Sequence, residues 1–424
     1  MKIAIIGTGI AGNLAAYHLS KEHEVTIFEA NSHIGGHTHT HSIELETRRY
    51  AIDTGFIVFN HKTYPEFTRL LHELDVETQP SNMSFSVKCE SSGLEYNGNT
   101  LNTLFAQRRN LFSLSFYRMI RDILRFNHEA PSMLEANNMD LSLGEFLHVG
   151  GYGREFIEHY LVPMGAAIWS TDPAVMYQFP AGFFIRFFHN HGLLSVDERP
   201  QWYVIKGGSH EYVRKITEPF ADRIRTNTKI EQVKRFPTHV VVKPSGEKAE
   251  QFDYVFIATH SDQALSMLSD ASPMERQILG AIPYQENEAV LHTDSSVLPK
   301  RELAWAAWNY HILPRSQGRV PVTYNMNILQ GIDAPVQFCV TLNNGNVINP
   351  DKILKRVTYH HPMFTPEGVS AQQQQQEING VNRTYFCGAY WRYGFHEDGV
   401  VSALNAIKHF KENRHEQLPL RRAS

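Results

Sequence analysis

Between Met1 and Ala30 the pattern of apolar and polar positions changes period three times. Ile3-Ala4-Ile5-Ile6 is a short run with β-branched residues at three of its four positions, which predicts a buried parallel strand. Gly7-Thr8-Gly9-Ile10-Ala11-Gly12 follows at once. Leu14, Ala15, Ala16, Tyr17 and Leu19 then mark the apolar face of a helix. Val25-Thr26-Ile27-Phe28 predicts a second strand, and it ends on Glu29. From Thr63 to Met139 the spacing turns largely helical. Tyr64, Phe67, Leu70, Leu71 and Leu74 share one face, and Phe116, Met119, Ile120, Ile123 and Leu124 another. Met83 to Tyr96, between them, reads as strands joined at Ser91-Ser92-Gly93, and Ser142 caps a helix over Leu141 to Leu147.

Later segments repeat the strand pattern. Trp202 to Ser209 leads into a helix through Tyr212, Val213, Ile216 and Phe220. Arg225 to Val233, a Val240-Val241-Val242 hairpin turning at Pro244-Ser245-Gly246, and Asp253 to His260 follow as strands. Residues 261–374 predict an antiparallel sheet with strands at Glu288–His292, Ala304–Tyr310, Val320–Met326 and Val336–Leu342. Gln372 to Gln376 reads as a solvated helix or loop without chemistry. Thr384 to Ala389 is a last strand and glycine, and a helix runs from Gly399 through Val400, Val401, Ala403, Leu404, Ile407 and Phe410. Glu412 to Ser424 is a polar tail, expected to fray.

At 424 residues the chain suggests two domains, with an ordinary globular balance of 42% hydrophobic and 20% charged residues. A net charge of −4 points to no nucleic-acid partner. Cys89, Cys339 and Cys387 are too widely spaced for a disulfide framework or a CxxC metal site. Gly7 interrupts any apolar leader, and no run approaches the roughly 18 apolar residues of a spanning helix. A cytoplasmic protein is expected.

The first block holds what a dinucleotide needs. Gly7 permits the tight turn, Gly9 lets the backbone approach a pyrophosphate, and Gly12 lets the helix pack against the strand. The helix N-terminus at Ile10 and Ala11 offers unpaired N–H groups and a positive dipole end. Glu29, 22 residues after Gly7 and followed by Ala30, is placed to accept hydrogen bonds from an adenosine ribose. A glycine turn that binds nothing is the bland alternative, and the strand, helix, second strand and terminal acid together argue against it.

A second glycine pair, Gly35-Gly36, with His37 and Thr38 after it, and then Asp53-Thr54-Gly55-Phe56, resemble the superfamily of FAD-dependent amine oxidases and phytoene-type desaturases. In that family the glycine pair lies along the flavin's ribityl and phosphate region. It usually carries Arg where His37 stands, so a permanent cation is replaced by a titratable group. The resemblance extends to a middle block, where Ile230 would meet the adenine and Ala258-Thr259 closes a strand. It reaches the final Gly388-Ala389 and Asp398-Gly399-Val400, whose helix would point its positive end at the pyrimidine edge of the isoalloxazine. Phe187 to Gly192, Tyr359 to Pro362 and Gly394 to Gly399 look like a bacterial branch of predicted NAD/FAD-binding proteins associated with genes for modified fatty acids. The implied fold is α/β: a Rossmann-type FAD-binding domain (1–60, 202–260, 378–424), of the glutathione-reductase kind, interleaved with an α+β substrate domain (61–201, 261–377). Three distant blocks meeting on one dinucleotide favour FAD over NAD. It would be held without a covalent bond, since the closest candidate for attachment, Cys387, belongs to a buried strand.

Amine oxidases place an aromatic wall where this chain has His396. A general base, a carboxylate-orienting group, or a histidine bonded inside the domain interface all suit that position, and Glu397 is the second catalytic candidate. His37, His39 and His41 alternate onto one strand face and His360-His361 are adjacent, yet flavin chemistry needs no metal and none is expected. Tyr160, Trp169, Tyr177, Phe179, Phe183, Phe184, Phe187 and Phe188 read either as helix packing or as the wall of an apolar cavity. The leading expectation is an FAD-dependent oxidoreductase removing hydride and proton from a small hydrophobic, acyl-lipid-like substrate, and it admits a peripheral membrane contact. The alternatives are an amine oxidase releasing hydrogen peroxide and a non-catalytic flavin-binding, lipid-associated protein.

Overall fold

The computed structural model describes residues 1–135, 141–195, 199–314, 319 and 321–421. Five parallel strands form the first sheet: β1 (Lys2–Ile6), β2 (Glu24–Phe28), β3 (Ile224–Arg225), β4 (Tyr254–Ile257) and β5 (Thr384–Phe386). Their order is β3-β2-β1-β4-β5. Ile3, Ala4 and Ile5 on β1 and Val255, Phe256 and Ile257 on β4 are wholly buried, which explains runs that are apolar throughout and do not alternate. The expected strand Arg225 to Val233 divides into β3 and a separate hairpin strand, Ile230–Arg235.

The helices that position the site are α1 (Ile10–Leu19), α2 (Pro65–Glu73), α3 (Leu114–Glu135), α4 (Ala181–Asn190) and α5 (His396–Arg421). α1 and α5 bury Leu14, Ala15, Ala403 and Phe410 against Ile3, Ile5 and Phe256 on one face of the sheet. The end of the helical stretch expected up to Met139 lies outside the described residues. The cap at Ser142 is present as a reciprocal pair with Glu145, opening a helix at Leu143.

A second sheet has seven strands, in the order Ile353–Pro362, Tyr284–His292, Cys339–Leu342, Val322–Asn325, Trp308–Ile312, Phe85–Cys89 and Glu95–Asn97. Every pairing is antiparallel except Trp308–Ile312 with Phe85–Cys89. The early hairpin therefore completes a sheet made mostly by residues two hundred positions later. The strand expected from Ala304 begins only at Trp308. Asn309 accepts from the Ala306 amide at 3.0 Å and donates to its carbonyl at 2.7 Å, which folds the approach into a loop. Val320, the first residue of another expected strand, lies outside the described residues.

The last helix begins at His396, not Gly399, because the Asp398 carboxylate accepts from the Phe395 amide at 2.9 Å and starts the helix early. It continues to Arg421 through the stretch expected to fray, and Arg422 to Ser424 (422–424) lie outside the described residues. The glutamine run is not simply solvated. Gln372 donates to the carbonyls of Tyr390 (2.8 Å) and Arg392 (2.5 Å), and Gln375 to that of Phe386 (3.1 Å), so the run fastens the loop before α5. Among the described residues no helix is long and apolar enough to cross a membrane.

Candidate active site

The loop from β1 to α1 is shaped by three glycines with different tasks. Gly7 has φ +101, and a Cβ there would lie 2.8 Å from the Ala258 carbonyl oxygen. A Cβ on Gly12 would overlap the Gly7 carbonyl itself. A Cβ on Gly9 would meet nothing within 4 Å, so this glycine leaves its backbone open toward the cavity. Gly9 also precedes α1 with no side chain capping the helix, and the first-turn amides keep their positive end free.

Glu29 is tied more fully than the sequence implied. Its carboxylate accepts from the Thr8 amide (3.0 Å) and hydroxyl (2.5 Å), and from the amide and side chain of Asn31 (2.8 and 3.0 Å). Glu29 thus clamps the glycine loop. Thr8, which reaches the Gly35 amide as well, is a positioning residue that the sequence reading overlooked, although it sits between Gly7 and Gly9. Gly36, at φ +60, lies so close to Gly9 that a Cβ would come within 3.0 Å of the Gly9 Cα. The second glycine pair is therefore packed against the first. Gly55 allows the next approach: Phe56 donates its amide to the His37 carbonyl at 2.7 Å, where a Cβ on Gly55 would overlap.

These loops open on one cavity of about 1930 Å³. It brings together Gly7, Gly9, Ile10, Ala11, Glu29, Ala30, Gly35, Gly36, His37, Thr54, Gly55, Phe56, Ile230, Ala258, Thr259, Gly388, Ala389 and His396. Gly12, Thr38, Glu397, Asp398, Gly399 and Val400 stand behind it and do not line it. Gly12 and Gly399 are packing glycines, and a Cβ on Gly399 would strike Ile10 at 2.7 Å. The Glu397 carboxylate caps α2, accepting from the amides of Glu66 (3.1 Å) and Phe67 (2.9 Å), behind the cavity wall. Burial raises the Asp398 carboxyl to about 7.

His396 borders the cavity but is held from behind. Its Nε2 lies 2.7 Å from the Tyr212 hydroxyl and 3.1 Å from that of Thr38, and its ring stacks on Phe56 at 3.6 Å. Burial, and then His37 nearby, hold its imidazole down to about 3, so it is neutral at physiological pH. The same holds for its neighbours. His37 and His361 are held down to about 3 and His260 to about 4, each chiefly by burial and then by other histidines. His37 packs between His361 (5.4 Å), His260 (5.9 Å) and Tyr359 (5.1 Å), and its buried Nε2 has no partner within the protein. Among the described residues no three His, Cys, Asp or Glu side chains are arranged to hold a metal ion.

The far part of the cavity is aromatic: Tyr160, Trp169, Phe187, Trp308, Tyr324 and Phe364 line it. The aromatic stripe of the sequence therefore divides between two roles. Tyr160, Trp169 and Phe187 reach the cavity, while Phe179, Phe184 and Phe188 are wholly buried packing.

An open glycine backbone, an uncapped helix N-terminus, a clamped acid at the end of β2 and the unpartnered buried Nε2 of His37 together fit a flavin dinucleotide. The fold and site define a flavoprotein of the two-sheet, dinucleotide-binding class. Residues 10–302 match the family model of the flavin containing amine oxidoreductases, and the chain belongs to that family. It is an FAD-dependent oxidoreductase. Among solved structures it is similar to cyclohexylamine oxidase from Brevibacterium oxydans IH-35A, with TM-score 0.70, 16% identity, and 98% of this chain and 99% of that one covered. It is also similar to a CLA-producing fatty acid isomerase from P. acnes (TM-score 0.68, 16% identity, 96% and 98% covered). Putrescine oxidase bound to putrescine is similar too (TM-score 0.66, 15% identity, 97% and 99% covered). No curated protein matches the chain.

Proposed function

We propose that the chain oxidises an apolar, acyl-chain-like substrate, from which a hydride and a proton are removed. The observation that carries this reading is the charge of the cavity. Among the described residues Glu29 is the one carboxylate that lines it, at the dinucleotide end, whereas Arg199, Lys229 and Lys355 lie on its walls, with Arg356, which is paired with Glu288 at 2.6 Å. A cationic amine would meet no anion beside the aromatic wing, and an uncharged chain or one ending in a carboxylate would meet apolar walls and cations. Bound FAD supplies the hydride-accepting centre.

The residues of the chain do the rest. Gly7, Gly9 and the start of α1 would hold the pyrophosphate, Glu29 the ribose, and His37 Nε2 would supply a donor to the cofactor. Trp169, Phe187 and Phe364 exclude water from the reacting carbon. His396, neutral and fixed by Tyr212 and Thr38, is the imidazole we assign to take the substrate proton, and His37, His260 and His361 also line the wall.

Anaerobic mixing of the holoenzyme with free fatty acids, acyl esters and a panel of amines tests the reading. Flavin bleaching by acyl compounds and not by amines is expected, as is an apolar ligand in the mass spectrum of purified protein. Rapid bleaching by a simple amine would replace this reading with an amine oxidase that releases peroxide. That second reading is supported by the family and by the aromatic wing.

A further inference from the structure

Among the described residues, three of the four most exposed large apolar side chains belong to one stretch, remote in chemistry from the dinucleotide loops; the fourth, Val149 at 79%, lies outside it. Phe112 is 90% exposed, and Leu101 and Leu114 are each 77% exposed. Phe105 rests on Phe116 (5.5 Å) and Tyr117 (6.0 Å), which brings the turn around Leu101 against the start of α3. On α3 itself, Phe116, Met119 and Phe126 face the core, while Leu114, Tyr117, Arg118, Arg121 and Leu124 face outward at helical spacing. An outward helix face of this kind combines apolar and basic side chains, where an ordinary surface helix is polar.

The charge of the stretch has one sign. From Tyr96 to Arg121 there are four arginines (Arg108, Arg109, Arg118 and Arg121) and no aspartate or glutamate. Asp122 follows but is buried, and it takes Arg121 at 3.2 Å. Arg108 and Arg109 are steadied by neutral acceptors, the Asn102 side chain and the Gly93 carbonyl, both at 2.7 Å, and among the described residues neither forms an ion pair. The same stretch touches the cavity. Asn99, two residues before Leu101, lines it.

We propose that this face, Leu101 and Phe112 to Leu124 with its four arginines, docks on the surface of an anionic lipid bilayer. Apolar side chains at the tips enter the acyl boundary, and the guanidinium groups meet lipid phosphates. Charge complementarity chooses the bilayer over a second copy of the chain, because a two-fold contact through this face would set arginine against arginine. Docking would turn the cavity rim at Asn99 toward the lipid. Only that use of the surface, delivery of a lipophilic substrate, rests on the function proposed above.

Co-sedimentation of the holoenzyme with phosphatidylcholine vesicles, with and without phosphatidylglycerol, reads the docking without any turnover. The protein is expected to pellet with the anionic vesicles, weakly with the neutral ones, and less as salt is raised. Phe112→Ser with Leu114→Ser should lower partitioning at least about tenfold while the flavin spectrum is unchanged. Arg109→Ser with Arg118→Ser should remove most of the preference for anionic lipid. Three results would overturn the proposal: no pelleting with anionic vesicles, equal pelleting with both kinds, or serine variants that pellet like the parent protein. A dimer in analytical ultracentrifugation that the Phe112→Ser, Leu114→Ser variant dissolves would assign the face to a second copy instead. Success here with failure of acyl compounds to reduce the flavin would leave the docking in place and remove the substrate reading alone.

Discussion

The Glu397 carboxylate accepts the Phe67 amide at 2.9 Å, joining the first turn of the last helix to the first turn of α2 across 330 positions of sequence. Tyr64, the residue that precedes α2, offers no cap of its own, so Glu397 supplies the one this helix lacks. Glu397→Ala should lower the unfolding free energy by about 1 kcal/mol, the usual worth of an N-cap, and Glu397→Gln, which keeps an acceptor oxygen, by less. Chemical denaturation followed by fluorescence measures both. Retention of flavin with a much reduced rate of flavin reduction in Glu397→Gln would assign this carboxylate a part in catalysis as well as in capping.

The three fingerprint glycines should fail in different ways. Gly9→Ala adds a Cβ that meets no protein atom, so the fold should persist while flavin content drops. Gly12→Ala overlaps the Gly7 carbonyl and should destabilise the protein by roughly 1–3 kcal/mol, the range for overpacking a buried site. Absorbance near the flavin bands, read beside thermal unfolding, separates the two outcomes. A yellow, fully loaded Gly9→Ala protein would contradict the assignment of this loop to the pyrophosphate.

For His396 the expected outcome concerns both rate and pH. His396→Ala and His396→Phe should each slow flavin reduction at least about tenfold, within the range of general-base contributions. Because its imidazole is held down to about 3, the rate should show no ionisation of this group at neutral pH, and protonation should silence it only in strong acid. Stopped-flow reduction of both variants across a pH series reads this directly. A pH dependence near the ordinary histidine value that vanishes in His396→Ala would show that the group titrates in the working enzyme.

Acid should unfold the protein early. His37, His39, His361 and His396 are held down to about 3, and His191, His260 and His292 to about 4, in each case chiefly by burial. An unfolded histidine titrates near 6.5, so below that pH the unfolded chain binds more protons and stability falls until the native values are reached. Asp53, raised to about 6, and Asp398, raised to about 7, act in the opposite sense, favouring the folded state as pH drops. Glu397, raised by burial, acts with them, and seven groups outweigh three. A melting temperature that declines by several degrees between about pH 7 and about pH 5 is expected. One that rises over that interval would contradict the neutral histidine cluster.

Much of this was legible in the chain because the physics involved is local. A tight turn needs Gly7, a helix must start with free amides at Ile10, and a strand covered on both sides must be apolar throughout, as Ile3 to Ile6 is. Each constraint acts over a few residues and is therefore written in consecutive ones. The motif Asp53-Thr54-Gly55-Phe56 and the strand before His260 were readable for the same reason, and so was the cap at Ser142.

Tertiary packing decided what neighbours in sequence could not. Glu397 and His396 are adjacent in the chain, yet α5 turns one toward the amides of α2 and the other toward the cavity wall. The hairpin at Phe85 found its parallel partner at Trp308, and the aromatic stripe, spread over several helices and the turn at Phe179, split between cavity and core. Thr8 became the clamp of Glu29, and the histidines are held neutral because folding buries them beside one another. Sequence by itself determined the elements and the dinucleotide loops, whose causes lie within one turn of chain. The structure alone determined which polar side chains face the cavity and which are bonded behind it, because burial and hydrogen-bond partners are set by residues hundreds of positions away.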